Sequence, residues 1–278
     1  MRKALLGLSL LISATSFAQQ KTAQQATIRL IRNATLVIEY AGKKILVDPM
    51  LSSKGALESF AGIEKNPTVE LKLPVSEIVD GVDLVLVTHT HVDHFDPAAG
   101  NALNKALPLI IQHADKDFFI KEQFINATVL DSKTEWNGIS IVRVDAQHGS
   151  GKVLQMMGKT SGFLLTAKNQ PAVYIVGDGI LTEEISRNIR KFKPDYIVVN
   201  AGGAVVPGFE TSPILMDEQQ TMKLLGESGK ARIIAVHMDA LDHCRTTRAI
   251  LSQKASELHI GKDKLIIPAD GEIVKLTR

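Results

Sequence analysis

The chain has 278 residues, 32 Lys+Arg against 30 Asp+Glu, and a single cysteine, Cys244. That length buries a sizeable core, and 45% apolar with 22% charged residues excludes a disordered chain. One cysteine excludes an internal disulfide and a thiolate-built zinc cluster, so a metal site here has to be made of His and carboxylate.

Residues 1–18 open with Met1-Arg2-Lys3, continue through a short apolar run and end on Ser16-Phe17-Ala18 before Gln19. A basic start, a short apolar stretch and a small-residue junction read as a secretory signal peptide cleaved after Ala18. The run is too short and too rich in Ser and Thr for a lasting membrane span. Removing it takes Arg2 and Lys3 away, leaving 30 basic and 30 acidic residues in 19–278. A balanced charge gives no electrostatic footprint for nucleic acid. No later stretch reaches the roughly 20 apolar residues of a span. The expectation is a periplasmic or secreted protein with no integral membrane segment after signal removal, folded as one domain over 19–278.

In chain order, 27–31 and 35–40 are β-branched runs about Asn33-Ala34, which predicts a hairpin. Residues 44–47 form a third strand ending at Asp48-Pro49. The stretch 50–74 is irregular, broken by Gly55, Gly62, Pro67 and Pro74, and a loop of that length predicts a wall or lid over a binding cleft. Strands follow at 84–88, 109–111, 128–130 and 139–146, with helices at 97–107 and 114–124. Residues 162–167 and 172–176 read as a second hairpin. Helices at 182–192, 216–226 and 245–258 alternate with strands at 196–199, 233–236, 265–267 and 273–276. Each half runs strands first, then strands alternating with helices, which suggests an α/β arrangement of two sheets face to face with helices outside.

The chemistry concentrates in His89-Thr90-His91-Val92-Asp93-His94, directly after the strand at 84–88. Four ligand-type side chains in six positions is a dense signal. In an extended segment His89, His91 and Asp93 point the same way, and a turn into a helix lets His94 rejoin them. His148, Asp178 and His237 each follow an apolar strand too, and loops at one sheet edge converge in space. Singly, each has a plainer reading, as a hydrogen-bonded structural His or a Gly-Asp-Gly turn.

The pattern His89-x-His91-x-Asp93-His94, then His148, Asp178 and His237, resembles the metallo-β-lactamase superfamily of metal-dependent hydrolases, from about Thr27 to the C-terminus. Val47-Asp48-Pro49 and Thr88–His94 are most similar to its L-ascorbate-6-phosphate lactonase-like branch. The resemblance implies an αββα sandwich and two divalent metal ions, zinc foremost, with manganese and iron also suited to such ligands. It implies that His89, His91 and His148 hold one metal, that Asp93, His94 and His237 hold the other, that Asp178 bridges them, and that Asp48 braces the loop without being a ligand. It further implies a hydroxide shared between the metals that attacks a lactone, ester or phosphodiester of a small extracytoplasmic molecule. Asp93 and His243 are the expected catalytic side chains. His243 stands one short turn after His237 and suits proton transfer; it is equally readable as a ligand or as a structural neighbour. A true β-lactamase, a nuclease and a non-catalytic metal- or ligand-binding module on the same fold are the competing readings. Cys244 is expected to be a small buried residue, His113 and His259 to lie outside the site, and Gly202-Gly203 to form a turn rather than a close backbone approach.

Overall fold

The computed structural model describes residues 25–278. The expected signal peptide, 1–18, lies outside them. Two seven-stranded sheets pack face to face among the described residues. The strands are β1 Thr27–Arg32, β2 Thr35–Tyr40, β3 Lys43–Val47, β4 Leu84–Leu86, β5 Leu109–Ile111, β6 Ala127–Val129, β7 Lys133–Trp136, β8 Ile139–Ala146, β9 Thr160–Ala167, β10 Val173–Ile175, β11 Tyr196–Asn200, β12 Arg232–Val236, β13 Leu265–Ile266 and β14 Ile273–Lys275. The helices are α1 Val75–Val79, α2 Pro97–Ala102, α3 Lys116–Lys121, α4 Gly151–Met157, α5 Glu183–Phe192, α6 Glu218–Glu227 and α7 Arg248–Glu257.

The first sheet runs β14-β1-β2-β3-β4-β5-β6 and the second β13-β12-β11-β10-β9-β8-β7. Each begins with antiparallel neighbours and finishes parallel: β1, β2 and β3 are antiparallel, then β3 to β6 parallel. In the other half β7 to β10 are antiparallel, then β10 to β13 parallel. The chain thus changes from hairpins to helix-linked crossovers once per half, as its sequence pattern suggests.

Period-2 alternation divides the core into layers. Leu84 and Leu86 of β4 face Ile139, Ile141, Phe163 and Val198 between the sheets. Val85 and Val87 point the other way, onto Phe95, Ala99 and Phe119 near α2 and α3. In β12, Ile234 and Val236 face inward while Ile233 and Ala235 pack toward α5, α6 and α7 through Ile189, Leu224 and Leu251. Each Leu, Ile, Val and Phe among these contributes about 1.5–3 kcal/mol over exposure. Among the described residues, no helix is long and apolar enough to cross a membrane.

Several elements differ from the sequence expectation. The helix expected over 97–107 stops after Ala102, and its start is set by Asp96, which accepts from Ala99 N. The helix expected from 245 begins at Arg248, because Thr247 caps it by accepting from Ile250 N. The segment 114–124 splits into a 3-10 turn, His113–Asp115, and α3. Strand β7 and helices α1 and α4 were not anticipated. Lys133–Trp136 lacks an apolar run, and it is ordered by pairing with β8.

Between Pro49 and Val75 the chain forms no helix or strand, only a bridge between Leu57 and Asn66. It is nevertheless anchored. Arg32, at the end of β1, is fully buried. Its guanidinium donates to the carbonyls of Val69 (3.0 Å), Met50 (3.1 Å) and Ser52 (2.7 Å). Burial lowers its pKa to about 10, against the opposing pull of Asp96, Asp270 and Glu70, so it stays charged at neutral pH and pins both ends of the long loop. Arg32→Met should leave these carbonyls unpaired and lower stability by about 2–4 kcal/mol. A denaturant midpoint that falls at constant slope is the expected result.

Candidate metal centre

The seven candidate ligands sit where strands end at the same edge of the sandwich. The loop 88–94 follows β4, His148 follows β8, Asp178 follows β10, and His237 directly follows β12. The loop does not stay extended: His94 N and Phe95 N both donate to His91 O, at 2.9 and 3.0 Å. This turn corrects the expectation that Asp93 points with His89 and His91. Two groups result, His89, His91 and His148 in one and Asp93, His94, Asp178 and His237 in the other, each with ligand atoms within 4.8 Å of one another. All seven candidate ligands are brought together. Asp178 lies between the groups, its Oδ2 3.2 Å from His94 Nε2, 3.4 Å from His148 Nε2 and 3.9 Å from His89 Nε2. Its Oδ1 is 3.7 Å from His237 Nε2, and Asp93 Oδ2 is 3.2 Å from the same nitrogen.

The hydrogen bonds behind the rings decide which nitrogen faces the centre. Asp48 is buried and accepts from Thr88 N (2.8 Å), Thr88 Oγ1 (2.7 Å) and His94 Nδ1 (2.8 Å). Because the Thr88 hydroxyl gives its proton to Asp48, it accepts from His89 Nδ1 at 3.1 Å. His148 Nδ1 donates to Ile214 O at 2.8 Å. His237 Nδ1 faces Cys244 Sγ at 3.6 Å. In all four buried rings Nε2 is therefore left toward the centre. His89 Nε2 is buried with no hydrogen-bond partner, and His94 Nε2 stands 3.3 Å from His237 Nε2.

Charge tells the same story. Burial, together with neighbouring imidazoles, holds His89 well below the ordinary histidine range, and burial also lowers His91 and His148. These three offer neutral lone pairs. Burial disfavours a charge on His94 too, yet Asp178, Asp93 and Asp48 push it well above its usual value. His237, similarly buried, is raised to about 10 by Asp178, Cys244 and Asp93. Asp93 and Asp178 are held well below the carboxylate range despite burial, chiefly by His94. Two buried carboxylates thus demand positive charge at the point where imidazole lone pairs converge. An orphaned Nε2, inward-facing nitrogens and a His/carboxylate donor set fit divalent cations such as zinc, manganese or iron.

Backbone strain and close approach mark the same place. Asp48 (φ 44) and His237 (φ 65) adopt the left-handed region without being glycine, at about 1–3 kcal/mol each. A Cβ on Gly202 would lie 2.3 Å from His237 O and 2.8 Å from Cys244 Sγ. That corrects the turn reading for Gly202: the position is a close backbone approach. A Cβ on Gly177 would lie 2.3 Å from Ser161 O, so Gly177, preceding Asp178, serves close packing as well as a turn.

Other participants were not singled out from sequence. Asn33, in the β1–β2 turn, donates Nδ2 to Asp93 O (3.0 Å) and accepts His237 N at its carbonyl (2.9 Å). Asn200 Nδ2 donates to Asp178 Oδ1 at 2.6 Å. Asn200 ends β11, so the strand-end rule that found Asp178 and His237 applies to it; Asn33 carries only a turn signal. His113 and His259 are exposed and outside the centre. Cys244 is half-buried and touches a ligand ring, more than the packing role expected of it.

Beside the centre opens a cavity of about 490 Å³. Its walls come from the long loop (Leu57, Glu58, Ser59, Phe60, Asn66), the metal-site residues His91, Asp93, His148 and Asp178, and His243. Val92, Met157, Ile214, Leu215 and Leu241 complete it, so the lining holds no Lys or Arg. The long loop therefore does form a wall of the cleft.

An αββα sandwich with five imidazoles and two carboxylates gathered at its strand ends defines the class of metal-dependent hydrolases built on the metallo-β-lactamase fold. The β-lactamase superfamily domain matches residues 43–238. The UPF0173 protein YddR of Bacillus subtilis is 34% identical over 251 residues, covering 88% of this chain and 98% of that protein. A crystal structure of a possible metal-dependent hydrolase from Veillonella parvula superposes with a TM-score of 0.87 at 30% identity, over 91% of this chain and 100% of that one. The isothiocyanate hydrolase from Delia radicum gut bacteria gives 0.83 at 37% identity, again over 91% and 100%. The chain belongs to the β-lactamase superfamily.

Two outcomes are expected of the site. His89→Ala and Asp178→Ala should fold and carry less metal by elemental analysis; unchanged metal content in both would refute the ligand set. Cation binding should displace protons, because His237, raised to about 10, holds one at neutral pH. Affinity should therefore rise between about pH 6 and pH 9, read by chelator competition.

Proposed function

We propose that this metal-dependent hydrolase acts on small, neutral, largely apolar electrophiles, with isothiocyanates as the leading substrate class. The observation that carries this reading is the cavity: apolar over most of its lining, free of Lys and Arg, and ending on the His/Asp centre. A phosphodiester or the carboxylate of a β-lactam would enter that wall with no side-chain cation to pair it. Lactones and uncharged esters meet no such penalty and form the second reading. The 37% identical isothiocyanate hydrolase supports the first.

His89, His91 and His148 would hold one divalent cation and Asp93, His94 and His237 a second, with Asp178 shared. Such cations, when bound, supply Lewis acidity and lower the pKa of water. The chain's own groups do the rest. In R–N=C=S + H2O → R–NH2 + COS, water oxygen joins the central carbon, the C–N bond breaks, and nitrogen gains two protons. Asp93 keeps an edge in the cavity, and because its carboxyl stays ionised beside His94 it accepts a hydrogen bond that orients the attacking water. His243 lines the same cavity, and burial lowers its pKa, so at neutral pH its imidazole is free to take the two protons of the attacking water one after the other and pass each to the leaving nitrogen, the second as the C–N bond breaks. The apolar walls exclude bulk water from the reacting carbon. The layout of 1–18 supports an exported enzyme working on an extracytoplasmic substrate.

The test is a panel on metal-loaded protein: phenethyl isothiocyanate, a neutral lactone, a carboxylesterase substrate, a phosphodiester and nitrocefin. Isothiocyanate loss with matching amine and carbonyl sulfide is expected. Turnover of only the phosphodiester or nitrocefin would overturn the reading, and full metal occupancy without any turnover would favour the non-catalytic module. His243→Ala should lower kcat about a hundredfold or more at unchanged metal content.

A further inference from the structure

We propose that Asp242 is a positioning residue that latches the loop tip 57–66 onto the turn after His237 and thereby sets the apolar wall of the substrate cavity. The inference rests on the cavity being the substrate site.

One carboxylate collects nearly every hydrogen bond between this tip and the body. Asp242 Oδ2 accepts from the Ser59 hydroxyl, from Ala61 N (3.0 Å) and from Ile63 N (3.3 Å). Its Oδ1 accepts from Asn66 Nδ2 (2.9 Å) and Phe60 N (3.3 Å). The Asp242 backbone N donates in return to Asn66 Oδ1 at 2.9 Å. The Asp242 side chain is 1% exposed. Within the loop, Leu57 and Asn66 pair their backbones at 2.7 and 2.9 Å, closing the tip into a single turn.

Apolar burial contributes little to where the tip sits. Ile63 is 79% exposed and Phe60 43%, so little core burial holds them. Yet Phe60 lines the cavity, with its ring 4.7 Å from that of His243. Charge-assisted bonds to a buried carboxylate must supply the placement. Burial works against this charge, and the Ser59, Asn66 and backbone donors outweigh it, holding the carboxyl well below its usual range. Five donors need acceptor oxygens, and an amide at 242 turns one acceptor into a donor aimed at donors. The carboxylate's partners are the tip residues and His243, whose Nδ1 lies 3.6 Å from Oδ1, so the latch acts on the wall and the proton carrier rather than on the metal ligands.

The experiment compares wild type with Asp242→Asn and the milder Ser59→Ala, all metal-loaded. The readouts are hydrogen exchange, metal content, affinity for the neutral dye N-phenyl-1-naphthylamine, and kinetics on phenethyl and methyl isothiocyanate. Expected for D242N is exchange about tenfold faster or more, confined to 57–66, with dye affinity lowered several-fold and metal content unchanged. KM for the phenethyl substrate should rise about tenfold, with methyl isothiocyanate less affected; kcat should fall as well in D242N, because the carboxylate also faces His243, but stay within about twofold in Ser59→Ala, which keeps that charge. Ser59→Ala should move each readout in the same direction by less, and it decides the matter should D242N fail to fold. Unchanged exchange and dye affinity would overturn the latch, as would metal loss with chain-wide acceleration of exchange. Exchange and dye binding need no turnover, so failure of the latch is separable from failure of the isothiocyanate reading.

Discussion

The buried Asp48 carboxylate is the constraint on which the rest hangs. Parallel pairing of β3 with β4 sets Val47 beside Leu86, so the residues that follow these strands meet. Asp48 N donates to Leu86 O at 3.1 Å, Thr35 Oγ1 donates to Asp48 O at 2.7 Å, and the side chain turns back to take Thr88 and His94. That geometry requires a left-handed backbone at Asp48, an unfavourable conformation that the surrounding hydrogen bonds over-determine. Through this one group sheet register becomes metal-site chemistry. His94 is oriented directly and His89 by way of the Thr88 hydroxyl, each with Nε2 toward the centre.

The second sheet supplies the complement. Asp178 and His237 arrive from β10 and β12, separated by β11, and Asn200 at the end of β11 bonds Asp178 from between them. The β1–β2 turn then reaches across, since Asn33 holds both the Asp93 carbonyl and the His237 amide. Two sheets that share an apolar core are thus also joined at their edge by polar bonds. Sliding one against the other would break packing and ligand geometry together. Tight backbone contacts at Gly177 and Gly202 belong to the same requirement: the ligand-bearing turns are pressed against neighbouring backbone closer than a Cβ allows.

Much of this was legible in the residues. Strands such as β5 and β8 were bounded correctly because apolar runs there are flanked by turn chemistry, and the seven candidate ligands were found because each follows such a run. Helix ends were misjudged where a cap side chain decides them, as at Thr247, since a cap competes with a periodicity that continues past it. β7 went unseen because Lys133–Trp136 takes its order from β8 rather than from its own pattern. The side-by-side direction of His89, His91 and Asp93 failed for a related reason: the bonds onto His91 O curl the chain just where an extended reading assumes alternation. Asn33 and Gly202 were hidden because their importance lies in what approaches them from far along the chain.

Substrate recognition is the least legible part, and the architecture explains why. The chemistry sits at strand ends, where register leaves little freedom. The wall of the cavity is assembled from the loop between Pro49 and Val75, from Met157 at the end of α4, and from Ile214 and Leu215, which lie outside strands and helices. These pieces carry no shared periodicity, and each is placed by a contact distant in sequence, as Arg32 places the ends of the long loop and Asp242 its tip. A fold arranged this way can keep one hydrolytic centre while its wall changes from polar to apolar. In this chain the wall lacks Lys and Arg, a feature that becomes visible only when the segments are assembled. On the substrate reading proposed above, a neutral electrophile would enter it without leaving a charge unpaired, while an anion would surrender hydration to leucine, isoleucine and phenylalanine along the wall.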